Sequence, residues 1–141
     1  MSNEDKQLLL KDLCARVPYG VIIHFNEGIG EDDQVLYCCR KNGKYTQFND
    51  GYFVDEFKPY LRPMSSMTIE EGDTITKLCG ADNATKQGAL FVVGGLVESE
   101  TLIVDYYTMQ SVINYLLSRH FDVHGLIEKG LALNAPEGMY D

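Results

Sequence analysis

Val35-Leu36-Tyr37-Cys38-Cys39-Arg40-Lys41-Asn42-Gly43-Lys44-Tyr45-Thr46-Gln47-Phe48 is the stretch on which the reading of the fold turns. Two β-rich runs, Val35 to Lys41 and Lys44 to Phe48, flank Asn42-Gly43. That dipeptide suits a two-residue hairpin loop because both residues tolerate positive φ. Upstream, Tyr19, Val21, Ile23 and Phe25 alternate onto one face of a further strand, and Asn26 to Asp33 forms an acidic, glycine-bearing loop. Downstream, Phe57-Lys58-Pro59-Tyr60-Leu61-Arg62-Pro63 must be extended, since each proline restricts its own φ and its predecessor's conformation. Ala89 to Val97 and Thr101 to Asp105 read as two more strands.

Helices frame these strands. Leu9, Leu10, Leu13 and Val17 make an apolar stripe over Glu4 to Arg16. Glu4 and Asp5 lie in its first turn and Arg16 in its last, as the helix dipole favours. Pro18 ends it. Thr68 and Glu71 have capping-box spacing ahead of a helix over Ile69 to Cys79. Met109, Val112, Ile113, Leu116 and Leu117 give a core-facing stripe over Thr108 to His120. Asp122 is placed to cap a last short helix through Lys129, which Gly130 ends, and the tail from Leu131 ends in a turn at Pro136-Glu137-Gly138. The expected architecture is one α+β domain over residues 1–141. It has a single, mainly antiparallel sheet of about five strands, with three or four helices packed mostly on one face.

Charge and cysteine usage bound the function. The net charge is −9, which disfavours phosphate-neutralising binding to nucleic acid and docking on an anionic membrane. The N-terminus lacks the basic and apolar regions of a signal peptide, so a cytoplasmic protein is expected. Cys14, Cys38, Cys39 and Cys79 form no C-x-x-C pair and read as reduced, mostly buried thiols. No metal or cofactor motif is present. Glu27 to Asp33 lacks EF-hand spacing and, with Asp33 in the last position, the third glycine of a dinucleotide fingerprint. It reads as a solvated acidic turn.

The strip from Lys58 to Thr68 stands out against this acidic background. Lys58, Tyr60 and Arg62 share one face of an extended segment. Ser65, Ser66 and Thr68 then add hydroxyls at the start of a helix, where backbone N–H groups are free. Cations, hydroxyls and a helix N-terminus together suit a small anion. The structural alternative is that Thr68 caps its own helix, Arg62 pairs with a carboxylate such as Glu70, and the prolines only route the chain. His120 and His124 are spaced i, i+4 around Asp122. They suit a shared metal only on a continuous helix, which Asp122 interrupts. No G-x-S-x-G or other nucleophile motif occurs. A His24–Cys38 pair is possible across neighbouring strands, but no pattern selects it.

Two segments resemble a group of small proteins from gut anaerobic bacteria and their phages. They are Lys58-Pro59-Tyr60-Leu61-Arg62-Pro63-Met64-Ser65-Ser66-Met67-Thr68, and His120-Phe121-Asp122-Val123-His124-Gly125-Leu126-Ile127 continuing through Gly130 to Leu133 and Ala135 to Tyr140. The resemblance covers under a quarter of the chain and implies a mobile-element setting. It brings no activity, ligand or catalytic residue with it, and His124 stands where similar proteins often carry arginine. The leading expectation is a non-catalytic binding module for a host protein or a small anionic ligand such as a nucleotide. The alternatives are a hydrolase-like enzyme using His120, Asp122 and His124, and an assembly component docking through its tail. Sequence alone fixes no oligomeric state.

Overall fold

Helix α1 (Asn3–Arg16) starts where the Ser2 hydroxyl accepts the Asp5 amide at 3.0 Å. It ends in a 3-10 turn over Val17–Tyr19, released by Gly20 at φ +70°. The structure is a computed structural model and describes residues 1–78 and 106–140. The expected strands at Ala89 to Val97 and Thr101 to Asp105, like Cys79, lie outside those residues. The described residues fall into two compact units: Met1–Arg62 with Leu117–Asp141, and Pro63–Leu116.

The first unit is built on a mixed sheet. Strands β1 (Ile22–Phe25), β2 (Gln34–Val35), β3 (Cys39–Asn42), β4 (Tyr45–Phe48) and β5 (Phe57–Leu61) precede helices α2 (Ile69–Leu78) and α3 (Tyr106–Ser118), and β6 (Leu133–Asn134) follows. The main sheet has the order β2-β1-β5-β6, and β3 with β4 forms a separate two-stranded sheet. The α+β class holds, but the single antiparallel sheet of about five strands does not. The hairpin lies apart because it lacks an apolar face: of its eight strand residues only Phe48 is buried. Val35, expected in that hairpin, pairs with β1 instead. The tail supplies β6, which joins β5 in parallel.

The hairpin loop is displaced by one residue. Asn42 pairs with Tyr45, leaving Gly43-Lys44 as the loop. Gly43 alone takes positive φ, at +65°. One left-handed residue at the first central position suffices for a type II′-like turn, so asparagine can stay in the strand.

Alternation along β5 divides its residues between two environments. Phe57, Pro59 and Leu61 are buried, while Lys58 and Tyr60 are half-buried. The inward set joins Leu9, Leu13, Ile23, Phe25, Leu36 and Leu126 in the core. The backbone of β5 alternates as well. The Leu61 carbonyl accepts from Ala135 N at 2.8 Å, beside β6. Arg62 accepts from Asp122 N at 2.9 Å and donates to the His120 carbonyl at 2.8 Å. Between these regions the Tyr140 hydroxyl donates to the Tyr60 carbonyl at 2.7 Å and accepts from Ile22 N at 2.9 Å. It bridges two strands where the β1–β5 ladder stops. β5 and Arg62 are thus lined by the 120–122 and 133–140 stretches.

Three local expectations are corrected in the same region. Helix α3 begins and ends two residues earlier than Thr108 to His120, and His120 adopts φ +66° beyond its end. His120 and His124 therefore share no helix. Asp122 does cap, accepting from Leu126 N at 2.8 Å and Ile127 N at 3.0 Å. No helix follows through Lys129, because Gly125 turns left-handed at φ +69° and the chain makes only turns. The three described thiols are free, but Cys14 is exposed and Cys38 and Cys39 are half-buried. Cys14 sits on the surface of α1, and Cys39, at the start of β3, packs against the edge of the core.

In the second unit, the Thr68–Glu71 capping box forms reciprocally. Thr68 N donates to Glu71 Oε1 at 3.0 Å and Glu71 N to Thr68 Oγ1 at 3.2 Å. The Thr74 and Thr76 hydroxyls fold back onto the carbonyls four residues earlier, at 3.0 and 2.9 Å. This accommodates poor helix formers within α2.

Tyr140→Phe removes the hydroxyl that joins Tyr60 and Ile22 while preserving the ring. Urea unfolding is expected to show a loss of roughly 1–2 kcal/mol, the cost of orphaning two part-buried backbone groups. A variant as stable as the native chain would remove the bridge from the account.

Candidate functional site

Strand alternation sets up the outer face of the main sheet. With Val21, Ile23 and Phe25 buried, His24 must point the other way, and it is exposed. Its register partner across β1 and β5 is Lys58. Tyr60, two residues on, brings its ring edge-on to His24 with centroids 5.8 Å apart. The acidic loop before β2 contributes Asp33, whose Oδ1 lies 2.7 Å from His24 Nδ1. Asp33 also accepts a hydrogen bond from Tyr60; burial and then this carboxylate hold the phenol above its ordinary pKa. His24, Asp33, Tyr60 and Lys58 thus form one polar cluster on an apolar-backed sheet. Lys58 has no ion-pair partner among the described residues.

The remaining strip residues are held locally. Arg62 stacks 4.2 Å above the Phe121 ring and donates through Nη1 to the Arg119 carbonyl at 3.3 Å. Ser65 and Ser66 are exposed in a 3-10 turn, and the Ser66 hydroxyl donates to the Pro63 carbonyl at 2.7 Å. Thr68 is engaged in its capping box. Lys58, Tyr60 and Arg62 belong to the first unit, and Ser65, Ser66 and Thr68 to the second.

A second cluster lies inside the first unit. Asp12 and Arg16 are one helical turn apart and interleave with the buried Leu9 and Leu13, so both are carried inward. Their side chains have 0% exposure. Arg16 Nε donates to Asp12 Oδ1 at 2.5 Å and Nη2 to Oδ2 at 3.1 Å. Nη2 also reaches the Phe121 carbonyl at 2.6 Å. His124 Nδ1 approaches Asp12 Oδ2 at 2.7 Å. Burial opposes ionisation of Asp12, but the His124 and Arg16 hydrogen bonds and charges outweigh it and lower the carboxyl's pKa.

His120, Asp122 and His124 therefore go to separate partners. Asp122 binds backbone amides, and His124 binds Asp12. His120 stacks on Tyr140 at 3.8 Å and leaves Nδ1 buried without a hydrogen bond among the described residues. Burial, followed by the charges of Arg16, Arg119 and Arg62, pushes its pKa down to about 4. His24 bonds through Nδ1 to Asp33, and among the described residues no hydrogen bond joins it to Cys38. Among the described residues no group of three or more His, Cys, Asp or Glu side chains is arranged to hold a metal. None of the described helices is long and apolar enough to cross a membrane.

Sequence reasoning missed Asp33 and the Asp12–Arg16 pair. The signal for Asp12 and Arg16 was available: charges at i, i+4 sit within the Leu9–Leu13 stripe. For Asp33 no spacing marks the approach of a loop to a neighbouring strand. Comparison with known proteins finds no matching family model, and neither a curated relative nor a solved structure matches the chain.

These shifts predict acid sensitivity in two stages. His120 binds its proton less readily in the folded chain, so stability is full above pH 6.5 and falls as pH drops toward about 4. Asp12, depressed in the folded state, adds a further loss below its ordinary value of 3.8. Chemical denaturation across pH should show His120→Phe flattening the upper stage only. An unchanged upper stage in that variant would assign it elsewhere.

Proposed function

We propose that this protein is a non-catalytic binding module whose ligand surface is the outer face of β1 and β5. The observation that carries the reading is the register match of Lys58 with His24, beside Tyr60 on the same face. Lys58 offers an ammonium without a competing carboxylate in contact. His24 and Tyr60 offer ring surface, and both are steadied on Asp33. That combination suits a small anionic ligand with a planar part, such as a nucleotide. Charge-assisted bonds to Lys58 supply affinity, and the rings supply orientation. The mobile-element resemblance fits a protein that acts by capture, including capture of a host component.

A binding role also agrees with where the hydrolase candidates lie. Both oxygens of Asp122 are occupied by the Leu126 and Ile127 amides. His120 is turned against Tyr140.

Titration with a nucleoside monophosphate, followed by amide NMR, is expected to shift His24, Lys58 and Tyr60 with a Kd in the micromolar to millimolar range. Lys58→Ala should weaken binding by roughly tenfold, about 1.4 kcal/mol. Absence of shifts at this face at millimolar nucleotide and millimolar phosphate would refute the anion reading.

A further inference from the structure

Helix α1 and strand β3 each bring one cysteine to the same point. Cys14 lies on the exposed side of α1, opposite the buried Asp12 and Leu13. Cys39 is the first residue of β3. Their Sγ atoms are 2.9 Å apart, although 25 positions separate them in sequence. A disulfide spans about 2.05 Å, so bond formation asks for a sulfur displacement of under an ångström. Cys38, the immediate neighbour, has no such partner among the described residues: successive residues entering a strand point to opposite sides.

We infer that Cys14 and Cys39 are a reversible redox pair, closing to a disulfide that fastens α1 to β3 under a peroxide-class oxidant. Burial and the neighbouring Cys14 push the Cys39 thiol up to about 12, so it stays protonated at neutral pH. The exposed Cys14 meets oxidant first. Its sulfur takes one oxygen from the peroxide, giving a sulfenic acid and water. Cys39 sulfur then attacks Cys14 sulfur. The S–S bond forms as the S–O bond breaks, and the departing hydroxyl leaves as water with the Cys39 proton. A small-molecule thiol reverses the step by exchange.

The closed loop contains β1 and β2, and α1 carries Asp12 and Arg16. Oxidation thereby ties the helix that bears the buried ion pair to the hairpin that lies outside the main sheet.

Treating the full chain with hydrogen peroxide tests this. The intact mass should fall by two hydrogens, the loss should reverse with dithiothreitol, and peptide mapping should join Cys14 to Cys39. Cys14→Ser and Cys39→Ser should each abolish the link, while Cys38→Ser and Cys79→Ser should leave it. The Tm should rise by roughly 5–10 °C on oxidation, as expected for a loop of this size. Full alkylation of Cys14 and Cys39 after peroxide, a link to Cys38 or Cys79, or a Tm that does not rise would each overturn the inference.

Discussion

The first unit depends on one buried guanidinium. Arg16 is fully enclosed, and its charge is matched by Asp12 on the same helix and shared with the Phe121 carbonyl and, through Asp12, with His124. Enclosing two ions costs several kcal/mol each, and good geometry with extra hydrogen bonds is needed to offset that cost. The geometry is bidentate, yet Arg16 Nη1 has no hydrogen-bond partner among the described residues. The pair is therefore a specifying device more than a surplus of stability. Its hydrogen bonds to the Phe121 carbonyl and to His124 hold the 120–124 segment against the inner turn of α1.

That constraint propagates outward. With the Phe121 carbonyl held by Arg16, the flanking His120 carbonyl and Asp122 amide meet the backbone of Arg62 and extend β5. Asp122 then organises the turn at Leu126 and Ile127, which sends Leu126, Leu131 and Ala132 into the core and β6 onto the sheet. The Tyr140 hydroxyl closes the last gap between β1 and β5. The inner side of β5 is fixed by this chain of contacts. By alternation its outer side, with Lys58 and Tyr60, is fixed as well.

The parts of this fold visible in sequence are those that local chemistry decides. The apolar stripe of α1, the Thr68–Glu71 box and the alternation of β1 and β5 all work over a few residues, and those elements lie within about three residues of their expected places. What escaped depends on distant partners. His124 meets Asp12 across 112 positions and Tyr140 meets Tyr60 across 80. Strand β6 is two residues long and carries no periodic pattern. The hairpin reading found the turn region but not its sheet, because pairing with β1 was decided by Val35 and not by the Asn42-Gly43 signal. Helix-dipole reasoning placed Arg16 in the last turn of α1, but the dipole is indifferent to burial; the Leu9–Leu13 stripe is what carries it inside. Lys58 and Tyr60 were legible as a shared face. His24 and Asp33, which complete the cluster, required the register of β1 on β5.

The dependence of the 120–126 segment on Arg16 can be measured by native-state hydrogen exchange on Arg16→Met. Replacing the guanidinium leaves Asp12 enclosed without its main counter-charge, a loss on the order of 3–5 kcal/mol. The account predicts that the Arg62, Asp122, Leu126 and Ile127 amides lose about a hundredfold or more in protection, while β1 amides such as His24 lose much less. Unchanged protection at those four amides, or an equal loss throughout the unit, would contradict it.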